Sequence, residues 1–168
     1  MSATETTDFN RVVLGYATTN WRQNMATHKQ MENGGRAARN AAKQAFRHPD
    51  WRVRRSCVGF MDHHADQSCT RGLIQALKDS NACVRRNAIH SLSCDRCKPE
   101  PLTLDVIPYV IDVALHDRSM RVRRTAVMLL GGKKPDARVV AAMQRIIQEN
   151  PDRRVVTQAR WVLKQHAG

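Results

Sequence analysis

The sequence has few aromatic residues and no long apolar run, and each of these features excludes a class of protein. No apolar segment approaches the roughly 18 residues that a membrane-spanning helix needs, so no span is predicted. Aromatic residues make up 5% of the chain, too little for the interleaved stacking platform of single-strand nucleic-acid binders. The N-terminus lacks a basic start followed by an apolar core, so no secretory signal is predicted.

The cysteine content does not indicate a disulfide framework. The chain has 5 cysteines, an odd number, and they are scattered along the sequence. This distribution is typical of proteins in a reducing compartment, so a cytoplasmic location is predicted.

The chain contains an internal repeat that begins with Val-Arg-Arg. Copies occur at 53–55, 84–86 and 122–124, each behind a turn-forming acidic segment and ahead of a small apolar residue. A degraded fourth copy begins at Val155, with Val156 and Thr157 in place of the arginines. A fixed period of roughly 20–50 residues is typical of solenoids, in which neighbouring units must stack to bury their apolar faces.

Helical periodicity follows the first valine of each copy. Apolar residues recur four and eight positions later, which is one face of a helix. The sets are Val53, Cys57 and Met61; Val84, Ala88 and Leu92; Val122, Ala126 and Leu130; and Val155, Ala159 and Leu163. The first valines are 31, 38 and 33 residues apart, which leaves room for two short helices and two turns per unit. The long middle spacing contains Pro99 and Pro101, which cannot continue a helix.

A second amphipathic segment precedes each valine and supplies the other helix of a pair. Leu-Ile-Gln-Ala-Leu-Lys-Asp at 73–79, followed by Val-Arg-Arg-Asn-Ala-Ile at 84–89, resembles HEAT repeats of the phycobilisome-lyase-like subtype. The resemblance covers about residues 33–168. It implies an all-α fold, a right-handed α-solenoid of about four HEAT-type helical pairs. Residues 1–32 lack the repeat pattern, and we expect them to form an N-terminal helical cap, because the end unit of a solenoid exposes apolar surface that needs cover. The expected repeats span about 33–64, 65–97, 98–134 and 135–168.

Basic residues dominate the repeats. The chain has 28 Lys and Arg against 15 Asp and Glu, a net charge of +13, and residues 1–32 are balanced, so the surplus lies in the repeats. The resemblance implies that the first arginine after each valine pairs with aspartates of the turns along a structural ladder. The matching residues are Arg54, Arg85 and Arg123, with Asp50, Asp79, Asp117 and Asp152. Such pairs align repeats more than they add stability.

The second arginine of each copy points away from the apolar face. In HEAT units the second helices line the concave side, so stacking turns these positions into rows across one groove. The predicted ligand-binding residues of this concave face are Arg55, Arg86, Arg124, Asn87, His90, Gln158 and Trp161. Arginine binds carboxylates and phosphates in bidentate fashion, so an anionic ligand is expected, although solvated helix faces explain the same residues.

These observations favour a non-catalytic binding scaffold whose basic concave face docks an acidic protein partner. A protein that binds the phosphate backbone of nucleic acid is the alternative, and a subunit of a lyase-type or other enzyme ranks third. No catalytic residue and no cofactor are predicted. The chain has no glycine-rich phosphate loop and no His-Glu dipeptide of the kind repeated in di-iron HEAT hydroxylases.

One constellation has the chemistry of a metal site. Cys94 and Cys97 form a single Cys-x-x-Cys, and His64 and Cys69 precede it. Zinc prefers four tetrahedral sulfur and nitrogen donors, which this set contains. A single Cys-x-x-Cys without a second pair is more typical of ordinary loop cysteines, so no metal is predicted and these four residues are only weak candidates.

Overall fold

The computed structural model describes residues 7–98 and 100–166, which form ten α-helices and no β-strand. The helices are α1 (Phe9–Val12), α2 (Trp21–Glu32), α3 (Gly35–Gln44), α4 (Trp51–His64), α5 (Thr70–Ala76), α6 (Ala82–Ser93), α7 (Ile107–His116), α8 (Met120–Leu130), α9 (Ala137–Glu149) and α10 (Arg153–His166). Short 3-10 helices occur at Val13–Tyr16, Ala45–Arg47, Gln67–Cys69 and Asp95–Cys97. Within the described ranges no helix is long and apolar enough to cross a membrane.

The helices pack in pairs that are adjacent in sequence. Helix α3 packs on α4, α5 on α6, α7 on α8 and α9 on α10. The second helices also contact one another in order, from α4 to α6 to α8 to α10. The chain is therefore an all-helical solenoid, as the repeat and the HEAT resemblance predict.

The first valine of each repeat lies in the core between pairs. Val53, Val84, Val122 and Val155 are at most 1% exposed. Residues five positions after the first three valines, namely Val58, Ile89 and Val127, are equally buried, although the expected apolar face omits them. Each second helix contacts its own pair partner and the neighbouring second helices, so its buried arc is wider than one face.

The N-terminal helices cover the first pair. Helices α1 and α2 pack on α3, and the 3-10 helix Val13–Tyr16 packs on α4. Tyr16 is fully buried, and its hydroxyl is hydrogen-bonded to Nδ1 of His28 at 3.1 Å. The His28 ring lies 5.8 Å from the Phe60 ring of α4. This arrangement is the helical cap expected at the open end of a solenoid.

The turns before the second helices share one hydrogen-bond pattern. The side chain five residues before each first valine accepts a hydrogen bond from the backbone N–H two residues later. Asp79 does this with Asn81 at 2.7 Å, Asp117 with Ser119 at 2.7 Å, and Asn150 with Asp152 at 3.0 Å. At the same position before α4, Nδ1 of His48 accepts from the N–H of Asp50 at 3.1 Å.

Two ladder pairs form where this position is an aspartate. The Arg54 guanidinium binds both carboxylate oxygens of Asp79, at 2.7 and 3.0 Å, and donates to the carbonyl of His48 at 2.8 Å. Arg85 binds both oxygens of Asp117, at 2.7 and 2.9 Å, and donates to the carbonyl of Asp79 at 2.9 Å. Each arginine thus ties the turn of its own repeat to the turn of the next.

The ladder ends before the last repeat. Nε of Arg123 is buried and has no hydrogen-bond partner among the described residues. Asn150 occupies the position that Asp79 and Asp117 hold in the earlier turns, and a neutral amide offers Arg123 no charge. The expected ladder residues Asp50 and Asp152 cap helices instead, accepting from the N–H groups of Arg52 at 2.8 Å and Arg154 at 2.7 Å.

We expect Asp117→Asn to destabilise the fold strongly at neutral pH. The side chains of Arg85 and Asp117 are each 5% exposed, so the substitution leaves a buried guanidinium without its counter-charge. Breaking a buried ion pair in this way costs about 3–5 kcal/mol of the free energy of unfolding. Urea unfolding followed by circular dichroism measures the effect. Asp112→Asn in α7, the helix that precedes the Asp117 turn, is the control; the Asp112 side chain is 76% exposed, so stability should change by less than about 0.5 kcal/mol.

The decrease in the free energy of unfolding caused by Asp117→Asn should also depend on pH. Burial alone would raise the pKa of Asp117, but hydrogen bonds from Arg85 and from the Ser119 N–H hold it below its ordinary value. A carboxylate with a lowered folded-state pKa stabilises the protein above its unfolded-state pKa of about 3.9, and this contribution is lost as the pH falls through the folded value. The stability difference between wild type and variant should therefore shrink in acid. A difference that stays constant down to about pH 3 would contradict the ion-pair interpretation.

Asn150→Asp should supply the missing carboxylate to Arg123. The new side chain keeps the acceptor for the Asp152 N–H, as Asp79 and Asp117 do in their turns. The free energy of unfolding should rise by up to about 1 kcal/mol. A double-mutant cycle with Arg123→Ala tests the cause. An equal gain in the Arg123→Ala background would show that the aspartate acts on the turn alone.

Candidate functional site

A basic cavity of about 440 Å³ lies on the layer of second helices. We call it the concave cavity. Its walls come from α6, α8 and α10, and its lining residues are Arg86, His90, Arg121, Arg124, Thr125, Met128, Leu129 and Gln158. Outward-facing positions of adjacent helices meet here because neighbouring second helices pack about 8–10 Å apart.

The arginines of the concave cavity are not neutralised by the carboxylates that the structure describes. Arg86 is exposed and Arg124 is half-buried. Neither these two nor Arg121 forms an ion pair with a carboxylate of the described residues. Nε of Arg124 and Oε1 of Gln158 are buried and have no hydrogen-bond partner among the described residues. The cavity therefore offers free cationic donors beside the apolar side chains Met128 and Leu129.

Four of the seven predicted concave-face residues line this cavity. Arg86, His90, Arg124 and Gln158 come together there. The other three take part in packing. Nδ2 of Asn87 donates to the carbonyl of Arg55 at 3.1 Å, and the Arg55 guanidinium lies 5.8 Å from the centre of the Trp51 ring.

Two glycines allow side chains of neighbouring helices to approach closely. A Cβ at Gly59 would lie 2.8 Å from Nδ2 of Asn87. The hydrogen bond from Asn87 of α6 to the carbonyl of Arg55 in α4 therefore depends on this glycine. A Cβ at Gly131 would lie 2.4 Å from the Trp161 ring. Trp161 therefore packs over the end of α8 and is 47% exposed, outside the cavity lining.

The residues predicted from the sequence for the concave face do not include Arg121, Thr125, Met128 or Leu129, which also line the cavity. Arg121 precedes Val122, the first valine of its repeat, by one residue. Positions 121, 124, 125 and 128 follow the three- and four-residue spacing of one helix face, and all four line the cavity. That spacing was the available signal.

A second basic cavity lies between α3 and α5, on the layer of first helices. It has a volume of about 610 Å³ and contains Lys43, Arg47 and Arg71. Nζ of Lys43 donates to Ser68 at 3.0 Å, and Nη2 of Arg47 donates to Gln75 at 3.2 Å. Because two of these three cations already have hydrogen-bond partners, the concave cavity is the better candidate site despite its smaller volume.

The weak metal candidates do not come together as a set. Sγ of Cys94 and Sγ of Cys97 lie near the side chains of His90 and Asp62. His64 stacks on Phe60 instead, with ring centroids 4.1 Å apart. Cys69 is fully buried, with its Sγ 3.7 Å from Sδ of Met61.

Cys57 is a core residue. Its side chain is fully buried, and this burial raises the pKa of its thiol to about 12. A thiol with such a pKa stays neutral near pH 7 and behaves as a small hydrophobic side chain.

Comparison with known proteins finds a similarity in structure only. No family model and no curated protein matches the chain. The structure is similar to that of the complex of CpcE and CpcF of phycocyanin lyase from Nostoc sp. PCC7120. The TM-score is 0.74 at 14% sequence identity, and the match covers 92% of this chain and 96% of the matched chain in that complex.

This similarity supports the HEAT-type fold of the phycobilisome-lyase-like kind and corrects the expected function. The predictions of a non-catalytic scaffold, with nucleic-acid binding as the alternative, and of a protein that is not an enzyme are wrong. The structure that shares the fold belongs to a phycocyanin lyase complex, whereas a lyase-type subunit was ranked third. At 14% identity the likeness itself establishes the fold.

Proposed function

We propose that the chain is a subunit of a lyase-type enzyme, that it works with a second protein chain, and that the concave cavity holds an anionic part of the substrate. The observation that supports this most directly is the set of arginines without ion-pair partners among the described residues. They lie in a fold shared with a phycocyanin lyase over 92% of the chain.

The chemistry of the cavity suits a carboxylate-bearing substrate with an apolar body. A guanidinium binds a carboxylate through two parallel N–H donors, and such charge-assisted hydrogen bonds are about twice as strong as neutral ones. Met128 is 45% exposed beside these arginines and offers apolar contact. The cavity thus positions the substrate, and the reacting groups come from the substrate or from the second chain.

The structural neighbour is a complex of two chains, which favours a protein partner for this chain as well. Phycocyanin is the first substrate to test, since the neighbour is named for it. A cytoplasmic location, suggested by the scattered cysteines, is part of this proposal.

Replacing Arg86 and Arg124 together by glutamine should weaken binding of labelled phycocyanin by about 10–100-fold. One hydrogen bond to a charged group is worth about 1.5–3 kcal/mol, and the substitution removes the guanidinium groups that provide them. Fluorescence anisotropy at physiological ionic strength measures the dissociation constant. The matched control is Arg153→Gln with Arg154→Gln, which removes the same charge from exposed positions outside the cavity.

The two variants separate a specific site from general charge. An equal loss of affinity in both would mean that phycocyanin responds only to net charge. Unchanged affinity in the Arg86 and Arg124 variant would remove the concave cavity from the proposal.

The lyase role has its own test. Phycocyanin is incubated with this chain, alone and together with CpcE or CpcF, and its covalent mass and visible absorbance are followed. We expect a change in both only when a second subunit is present. No change with either subunit would rule out phycocyanin as the substrate.

A further inference from the structure

Four metal-binding side chains converge at the ends of α4 and α6. Asp62 lies in the last turn of α4, His90 lies in the last turn of α6, and Cys94 and Cys97 lie in the connection that follows α6. One potential ligand atom from each of these residues lies within 4.8 Å of all the others. We infer that Asp62, His90, Cys94 and Cys97 bind one Zn²⁺ ion, which ties the connection after α6 to the first two repeats.

The donor set fits zinc. Two thiolates, one imidazole and one carboxylate are ligands that Zn²⁺ accepts in tetrahedral sites, and soft sulfur donors disfavour Mg²⁺ and Ca²⁺. Four protein ligands fill the coordination sphere, which is typical of a structural site. The site goes beyond the proposed lyase role and does not depend on it.

The distances require only small movements. Nδ1 of His90 lies 2.9 Å from Oδ1 of Asp62, and the two sulfur atoms lie 2.9 Å apart. Zinc bonds of about 2.0 Å to nitrogen or oxygen and about 2.3 Å to sulfur place tetrahedral ligand atoms about 3.3–3.8 Å apart. Each pair therefore has to separate by less than about 1 Å to admit the ion.

The residues around the cluster can orient the ligands and balance their charge. Two thiolates and a carboxylate around Zn²⁺ carry a net negative charge. Lys98 is 7% exposed and donates to the carbonyl of Cys94 at 2.8 Å, which places an ammonium group beside the site. Nδ1 of His63 is hydrogen-bonded to the carbonyl of Cys97 at 2.9 Å. Such outer contacts usually accompany metal sites.

The position of the cluster explains the irregular spacing of the repeats. Both cysteines belong to the segment that lengthens the middle spacing to 38 residues. In the described part of the connection between Ser93 and Ile107, the only regular element is the short 3-10 helix Asp95–Cys97. Long connections without secondary structure cost conformational entropy on folding, and a metal clip reduces that cost.

Metal binding is tested on the full chain, reduced and stripped with a chelator. One equivalent of Zn²⁺ is added and the protein is desalted. Inductively coupled plasma mass spectrometry should then detect one zinc ion per chain. Co²⁺ in place of Zn²⁺ should give the visible bands of a tetrahedral ion and the near-ultraviolet charge-transfer band of thiolate ligands.

Variants identify the ligands. Cys94→Ser and Cys97→Ser should each weaken zinc binding by more than about 100-fold, because loss of an outer-shell contact alone costs about 10–100-fold. Cys83→Ser is the matched control, since Cys83 is a partly exposed cysteine of α6 outside the cluster. His90→Ala should abolish the cobalt bands. His116→Ala is the control for His90→Ala, because Nδ1 of His116 is likewise hydrogen-bonded to an aspartate, Asp112, at 3.0 Å. This variant should leave the cobalt bands unchanged.

Several results would overturn the site. The proposal is wrong if the wild-type protein retains no zinc. It is also wrong if Cys94→Ser and Cys83→Ser bind Zn²⁺ with equal affinity. A protein mass lower by two hydrogen atoms under mild oxidation, with no zinc retained after reduction, would show that the cysteine pair forms a disulfide instead. If the cysteine variants fail to fold, the cobalt spectrum of the wild-type chain decides the question, because thiolate charge transfer requires a sulfur ligand.

Discussion

The buried ion pair between Arg85 and Asp117 is the contact on which the arrangement of the repeats depends. Arg85 lies on α6, and its guanidinium binds the Asp117 carboxylate in the turn before α8. The same guanidinium donates a hydrogen bond to the carbonyl of Asp79 in the turn before α6. This fixes the position of α8 relative to α6. The concave cavity is formed by the same two helices together with α10, so its shape follows from the register that the pair imposes. A buried pair gains little net stability but has a defined geometry, which suits it to alignment.

The fold could be predicted from the sequence because its determinants are local and repeated. The first valines, the residues four and eight positions later and the arginine pair recur with each unit, and helix periodicity converts that recurrence into buried and exposed faces. The same reasoning places Arg86 and Arg124 on one surface. It fails for Arg55, whose guanidinium lies 5.8 Å from the Trp51 ring of its own helix and outside the cavity lining. Asn24 of α2 reaches Ser56 at 3.4 Å, and an internal pattern cannot anticipate a segment that lacks the repeat.

The metal cluster could be predicted only in part, for a related reason. The Cys-x-x-Cys spacing is visible in the chain, but the other two ligands are set by how α4 lies against α6. Asp62 and His90 are 28 residues apart, and their contact depends on the packing of two repeats. His64 and Cys69 are closer to the cysteines in sequence than Asp62 is, yet they contact Phe60 and Met61 instead. His90 also lines the concave cavity, so the cluster and the cavity share a wall.

The interrupted ladder makes the two ends of the solenoid unequal. Among the described residues, the last pair, α9 and α10, receives no ion pair from an arginine of α8. It is held by apolar packing, by the ion pair between Arg138 and Asp105 at 2.6 Å, and by His166, whose Nε2 is hydrogen-bonded to the carbonyl of Leu130 at 2.9 Å. Repeat arrays open in units, and the least-anchored terminal unit opens first. Gln158 of α10 closes one side of the concave cavity, so opening of this unit uncovers the cavity from its C-terminal side.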